Sequence, residues 1–294
     1  MSKSDEERPP VDGSLEIHLL GLFRVVENGR TVTEREFTRR KPKQLIKLLA
    51  LQPHHQLHRE QAMEFLWPDS DPELAANNLH KAIHMARHAL EPELNSAADS
   101  HFILTQGTQI LLTAPGQLWI DVEMFEQRAA EAIKADDEIA YQEALAIYQS
   151  DLLSEDLYDD WAATRREQLR SDHQELLLKL ARLHEGNGRY IQSISRFKEL
   201  LAADPSNEEA HRQLMRLYAA TGNRQQALRQ HKECCEVLRK ELDAAPEQAT
   251  SALYDQIVAG KLASLGETKE ARKIISSLAI LPLINAGADL DVEY

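Results

Sequence analysis

The spacing of hydrophobic positions changes character along the chain. Leu15–Leu20 and Phe23–Glu27 are short apolar-rich runs that predict strands. Asn28-Gly29 predicts a two-residue hairpin turn, because both residue types tolerate positive φ, and the chain then returns through Arg30–Thr33. Helical spacing follows. Arg40–Leu51 places Leu45, Leu48 and Leu49 on one side with Ile46 beside them. Pro42 is tolerated in its first turn and Pro53 stops it. A second helix over Arg59–Leu66 ends before Trp67-Pro68. A third over Pro72–Leu90 opens with Asp71 as N-cap and Pro72 in the first helical position, and Pro92 lies just beyond its end. Phe102–Leu112 reads as a β-hairpin about Gln106-Gly107-Thr108-Gln109. Sheet, three helices and hairpin, in that order, are the layout of a winged helix-turn-helix over residues 14–115.

From Asp121 to about Gly260 the pattern is helical throughout, and it repeats. Leu180 and Leu214, Leu183 and Leu217, Gly188 and Gly222, Ser193 and Ala227, and Ile194 and Leu228 are all 34 residues apart. That period is the signature of tetratricopeptide (TPR) helix pairs. Small residues at 193 and 227 let the paired helices approach, and glycines at 188 and 222 suit the turns between them. Tyr141–Tyr148 reads as the second helix of an earlier, imperfect unit. The predicted fold is mainly α with a small β component: a winged helix with an N-terminal antiparallel sheet, then an all-α TPR-like domain over 120–260. Residues 1–13 are expected to be disordered and 261–294 to form a linker and the start of a further domain.

Composition adds an electrostatic asymmetry. The 294 residues carry a net charge of −14, which argues against a protein that simply coats nucleic acid. Yet residues 35–59 hold Arg35, Arg39, Arg40, Lys41, Lys43, Lys47 and Arg59 against the single acid Glu36. A basic patch on an acidic chain suits local, oriented contact with DNA, and equally suits a solvated helix face. Cys234 and Cys235 are adjacent in a helical stretch and read as reduced thiols in or near a core. No apolar run is long enough for a membrane span and the N-terminus is polar, so a cytoplasmic protein is expected.

Several residues resemble a known family. Leu19-Leu20-Gly21, Leu66-Trp67-Pro68 and Ala75-Ala76-Asn77-Asn78-Leu79 resemble the winged helix of response-regulator output domains over 15–115. Asp121 with Phe125, Trp161 and Tyr254 resemble the bacterial transcriptional activation domain that follows it in SARP-type (antibiotic-regulatory-protein) activators, over 120–260. The final SLAILPLINAGADLDVEY resembles the opening of a TolB-like domain, which suggests a truncated product or a short docking strand. The resemblance implies sequence-specific binding to double-stranded DNA at direct repeats near promoters and recruitment of RNA polymerase. The helical domain would supply homodimer contacts, regulatory contacts, or both.

The third helix is the candidate reader, since the resemblance implies that it lies in the major groove. With Leu79, Ala82, Ile83, Ala86 and Leu90 on the core face, Asn77, Lys81, His84 and His88 share the opposite one, flanked by His80 and Met85. Lys can donate to guanine and Asn can pair with adenine. Arg39, Arg40, Lys41 and Lys43 at the start of the first helix, and Arg59 at the second, are expected to clamp phosphates. The hairpin tip, Gln106, Thr108 and Gln109, carries no charge, so a minor-groove arginine is absent. His80, His84 and His88 have helical metal-pair spacing, but no cysteine shares their face and HKAIH lacks the glutamate of HExxH, so no metal is expected. The acidic cluster Glu155, Asp156, Asp159 and Asp160 is mis-spaced for an EF-hand and reads as an acidic loop. No phosphate loop, GxSxG elbow or GxGxxG is present, so neither an enzyme nor a cofactor is expected. Two other readings compete: a TPR-type adaptor whose winged helix binds protein, and a histidine-based metal-responsive regulator.

Overall fold

A computed structural model of the chain describes residues 13–37, 39–157 and 159–262. Of the stretch over 1–13 expected to be disordered, residues 1–12 lie outside them, as does the TolB-like tail. The described chain falls into two compact units, one up to Pro205 and one from Ser206.

The first unit opens with β1 (Leu15–His18), β2 (Arg24–Glu27) and β3 (Arg30–Val32). Asn28 and Gly29 both take positive φ, as the hairpin requires. The Asn28 carboxamide oxygen accepts from the Ser14 N–H at 2.9 Å. Beyond the expected elements, β7 (Leu118–Ile120) joins this sheet. It runs parallel to β1, giving the order β3-β2-β1-β7. The sheet therefore extends past residue 115. β1 is also shorter than the pattern predicts, for a definite reason. The Asp121 carboxylate, at the start of α4 (Asp121–Ala135), accepts from the N–H of Leu19 at 2.8 Å and of Leu20 at 2.8 Å. Those two amides are thereby taken out of any ladder.

The helices α1 (Arg40–Ala50), α2 (Arg59–Leu66) and α3 (Pro72–Leu90) follow. A second sheet, β4-β6-β5, combines β4 (Gln56–His58) with the expected hairpin β5 (Ile103–Gln106) and β6 (Gln109–Leu112). The Asp71 carboxylate caps α3 by accepting from the Glu73 N–H at 2.9 Å. One continuous buried cluster runs from Leu15 in β1 through Leu45, Leu79 and Phe125 to Leu180 in α6 (Ala163–Gly186). The same unit holds α5 (Glu138–Ile147) and α7 (Tyr190–Ala203), which packs along α6.

The second unit holds α8 (Glu208–Ala220), α9 (Arg224–Leu242) and α10 (Gln248–Val258), each in contact with the other two. The 34-residue repeat holds at the level of hydrogen bonds. Arg189 N–H donates to the His184 carbonyl at 2.8 Å, and Asn223 N–H to that of Tyr218 at 2.7 Å. Gly188 and Gly222 sit in these two turns with φ of +71° and +83°, a region that L side chains avoid. Ser193 and Ala227 are both fully buried, and Cys234 is a buried free thiol.

Because Ala227 is fully buried in α9, which packs against α8 and α10, Ala227→Leu should overpack its surroundings. The expected loss is ~1–3 kcal/mol, read as a lower thermal midpoint of the whole chain. An unchanged midpoint would remove the close approach that the repeat register implies.

Candidate nucleic-acid interface

α3 is amphipathic around its circumference. Leu79, Ala82, Ile83, Ala86 and Leu90 are buried, while Asn77, His80, Lys81 and His84 are exposed. His88 is half-buried, with its ring edge-on to His84 at 4.4 Å. Asn77, Lys81, His84 and His88 thus form one outward stripe of donors and acceptors. The stripe has the spacing that lets successive side chains reach successive base edges. Among the described residues no group of three or more His, Cys, Asp or Glu side chains is placed to hold a metal ion.

The second sheet brings Arg59 to the hairpin tip. β4 pairs with β6 so that His58 stands opposite Gln109, and Gln109 stands opposite Gln106 across the turn. The Arg59 backbone N–H donates to the Thr108 carbonyl at 2.9 Å. The start of α2 is capped by the His58 ring, which accepts from the Glu60 N–H, and by the Gln61 side chain reaching back to the His58 N–H. Gln106 and Thr108 are exposed. Arg59 and the uncharged tip, far apart in sequence, therefore form one edge.

The N-terminal end of α1 is arranged differently from the open cluster that the charge pattern suggests. Arg39 is exposed at the N-cap position. Arg40 bonds Asp159 at 2.9 Å and Asp156 at 3.3 Å, and Lys43 bonds Glu34. Lys41 donates to the Leu66 carbonyl and lies over the Trp67 ring, 5.6 Å from its centre, and burial lowers its pKa. Arg40, Gln44 and Lys47, at i, i+4 and i+7, share one face of α1. On that face the Gln44 amide donates to Asp159 at 2.6 Å, and the buried Lys47 ammonium bonds the buried Asp156. Lys47 also sits over the Phe23 ring at 4.6 Å. The expected acidic loop is thus a docking element. Arg166 holds it from behind by donating to the carbonyls of Leu152 at 2.8 Å and Asp156 at 3.1 Å. Three of the five expected phosphate contacts, Arg40, Lys41 and Lys43, already have partners within the chain.

The roles of two buried charged residues were not visible in the sequence. Asp121 stands in the sequence as a helix start and as part of the family resemblance, but the partners of its carboxylate lie about a hundred residues away. Arg87 is buried and bonds the hairpin: its Nε donates to the Ile103 carbonyl at 2.8 Å and an Nη to the Thr105 hydroxyl at 3.3 Å. A signal for it existed. Arg87 falls four residues after Ile83 and eight after Leu79, a charge set in the apolar stripe.

Residues 120–258 match the family described as the bacterial transcriptional activator domain. No curated protein matches the chain. Among solved structures, EmbR of Mycobacterium tuberculosis, in complex with a low-affinity phosphopeptide, shares the fold with a TM-score of 0.65 at 18% sequence identity. The alignment covers 83% of this chain and 65% of EmbR, so the chain spans just under two thirds of that protein's length. No helix among the described residues is long and apolar enough to cross a membrane. The chain thus places a winged-helix fold ahead of a region, residues 120–258, that matches the bacterial transcriptional activator domain.

Proposed function

We propose that the chain binds double-stranded DNA sequence-specifically through α3 and activates transcription from the promoters it occupies. The observation that carries this reading is the outward stripe of Asn77, Lys81, His84 and His88 on a helix whose opposite face is core. Arg59 and the tip residues Gln106, Thr108 and Gln109 are the second contact, at the edge of the β4-β6-β5 sheet. Arg39 is the cation best presented for phosphate at α1. Arg40, Lys41 and Lys43 reach phosphate only by leaving the partners they hold. The reading extends to direct repeats, a homodimer on them and recruitment of RNA polymerase, with the match of residues 120–258 to the bacterial transcriptional activator domain as its support. The activator domain is then the part that meets the polymerase.

Lys81 tests the reading most directly, because it is exposed at the middle of the stripe. Lys81→Ala should lower affinity for a selected duplex by ~1–3 kcal/mol and affinity for a scrambled duplex by much less. The measurement is fluorescence anisotropy on both duplexes at a fixed salt concentration. Equal losses on both would make Lys81 a phosphate contact, and no loss on either would remove α3 as the reader.

A further inference from the structure

Arg87 is an expensive way to fill a place in an apolar stripe. The residues around it on that face are Ile83, Ala86 and Leu90, and burial depresses its pKa, the mark of a desolvated charge. A leucine there would bury more apolar surface at no electrostatic penalty. What the guanidinium supplies instead is direction. Its planar fork fixes an acceptor's position and angle together, which a single point contact does not.

The acceptors lie where a hairpin needs holding. β5 is the edge of the order β4-β6-β5, so among the described residues one side of its backbone has no strand beside it. Phe102 and Thr113 are hydrogen-bonded across the ladder, which by alternation turns the Ile103 carbonyl away from β6. Arg87 takes that carbonyl and the Thr105 hydroxyl, one residue before the tip begins at Gln106. At the C-cap of α3, the Glu91 carboxylate accepts from the Ser100 hydroxyl at 2.6 Å and the His101 N–H at 2.9 Å. The Ser100 oxygen in turn accepts from the Ile103 N–H at 3.4 Å. The outer edge of β5 is therefore tied to α3 rather than to another strand.

We propose that Arg87 is a positioning residue that locks the hairpin to α3, so that the α3 stripe and the hairpin tip meet one DNA duplex as a single rigid surface. This rests on the DNA-binding reading above. An uncharged tip depends on such a lock more than a charged one. A flexible arginine can find a phosphate from many poses, but the hydrogen bonds of Gln106 and Thr108 are short-ranged and need the tip already in place.

Two measurements on the full chain test it. The first does not involve DNA: in Arg87→Met, amides of residues 103–112 should exchange faster with solvent while those in the middle of α3 keep their wild-type protection. The second is a double-mutant cycle on a 30-base-pair duplex selected by the wild-type protein from a randomised pool. Gln106→Ala with Thr108→Ala should weaken wild-type binding about tenfold, but weaken Arg87→Met by less than about twofold, because the tip no longer has a fixed place. Arg87→Lys, which can keep one of the two bonds, should fall between. Unchanged exchange over 103–112, or tip losses that add fully in the Arg87→Met background, would overturn the lock. If the wild-type protein selects no duplex, the DNA-binding reading itself fails, and the exchange experiment still decides whether Arg87 holds the hairpin.

Discussion

Lys47→Met is expected to unfold in urea at a clearly lower concentration than wild type, with a loss of about 3 kcal/mol. Lys47 and Asp156 are both buried, and their side chains meet between α1 and the docked loop. Removing the ammonium leaves the Asp156 carboxylate desolvated, with Arg40 at 3.3 Å as its remaining ion-pair partner among the described residues. Arg40 does not replace Lys47, because its side chain is 62% exposed and shared with Asp159. For the same reason Arg40→Ala should cost less than about 1 kcal/mol. Methionine keeps most of the aliphatic packing against Phe23, so the loss reports the charge rather than a cavity. Replacing both partners, Lys47→Met with Asp156→Leu, should recover most of the stability, since a buried ion pair exchanged for apolar groups is often neutral. A wild-type midpoint for the single variant would show that the loop is held by its backbone contacts alone.

The second large effect is expected at Asp121. Asp121→Ala leaves the amides of Leu19 and Leu20 without their acceptor in a buried place, at about 3 kcal/mol for bonds to a charged group. Burial pushes the Asp121 carboxyl up to about 6, with the backbone donors pulling the other way. A folded-state pKa above the ordinary value means that the folded chain holds this proton more tightly than the unfolded chain. That contribution is complete below about pH 4 and is lost as the pH rises through about 6. The stability gap between wild type and Asp121→Ala should therefore narrow as the pH rises from 4 to 7, by urea titration at several pH values. A gap that widens over that range would mean that the hydrogen bonds to the carboxylate outweigh its desolvation.

These two sites also mark where the sequence stops being readable. The limits of α3 were legible because Asp71-Pro72 and Pro92 punctuate a long, strongly periodic run, and the Asn28-Gly29 turn because its residue pair has few other uses. The repeat was legible because Gly188 and Gly222 must occupy equivalent turns. β4 and β7 were not, since three residues carry too little alternation to stand out, and β7 gains its place from β1 rather than from its own sequence. The buried roles of Lys47, Arg87 and Asp121 were not legible, for a common reason. A charge reads as surface unless its partner is known, and each of these has partners supplied by a distant segment. The candidate reading face was legible as the complement of an apolar stripe. The occupied state of Arg40, Lys41 and Lys43 was not: the partners of Arg40 lie in an acidic loop more than a hundred residues on, Lys41 takes a backbone carbonyl at Leu66, and Lys43 takes Glu34, just outside the basic run.

The pairing of β7 with β1 has a consequence for how the chain is made. Leu15 stands beside Leu118, so the first strand meets its parallel neighbour only after about a hundred further residues have been synthesised. At roughly 5–20 residues per second, that interval is on the order of 5–20 seconds. During it β1 can form its hairpin with β2, but its other edge stays unpaired, and the amides of Leu19 and Leu20 wait for Asp121. β1 is therefore completed by a strand that emerges only after all three winged-helix helices and the hairpin have been made.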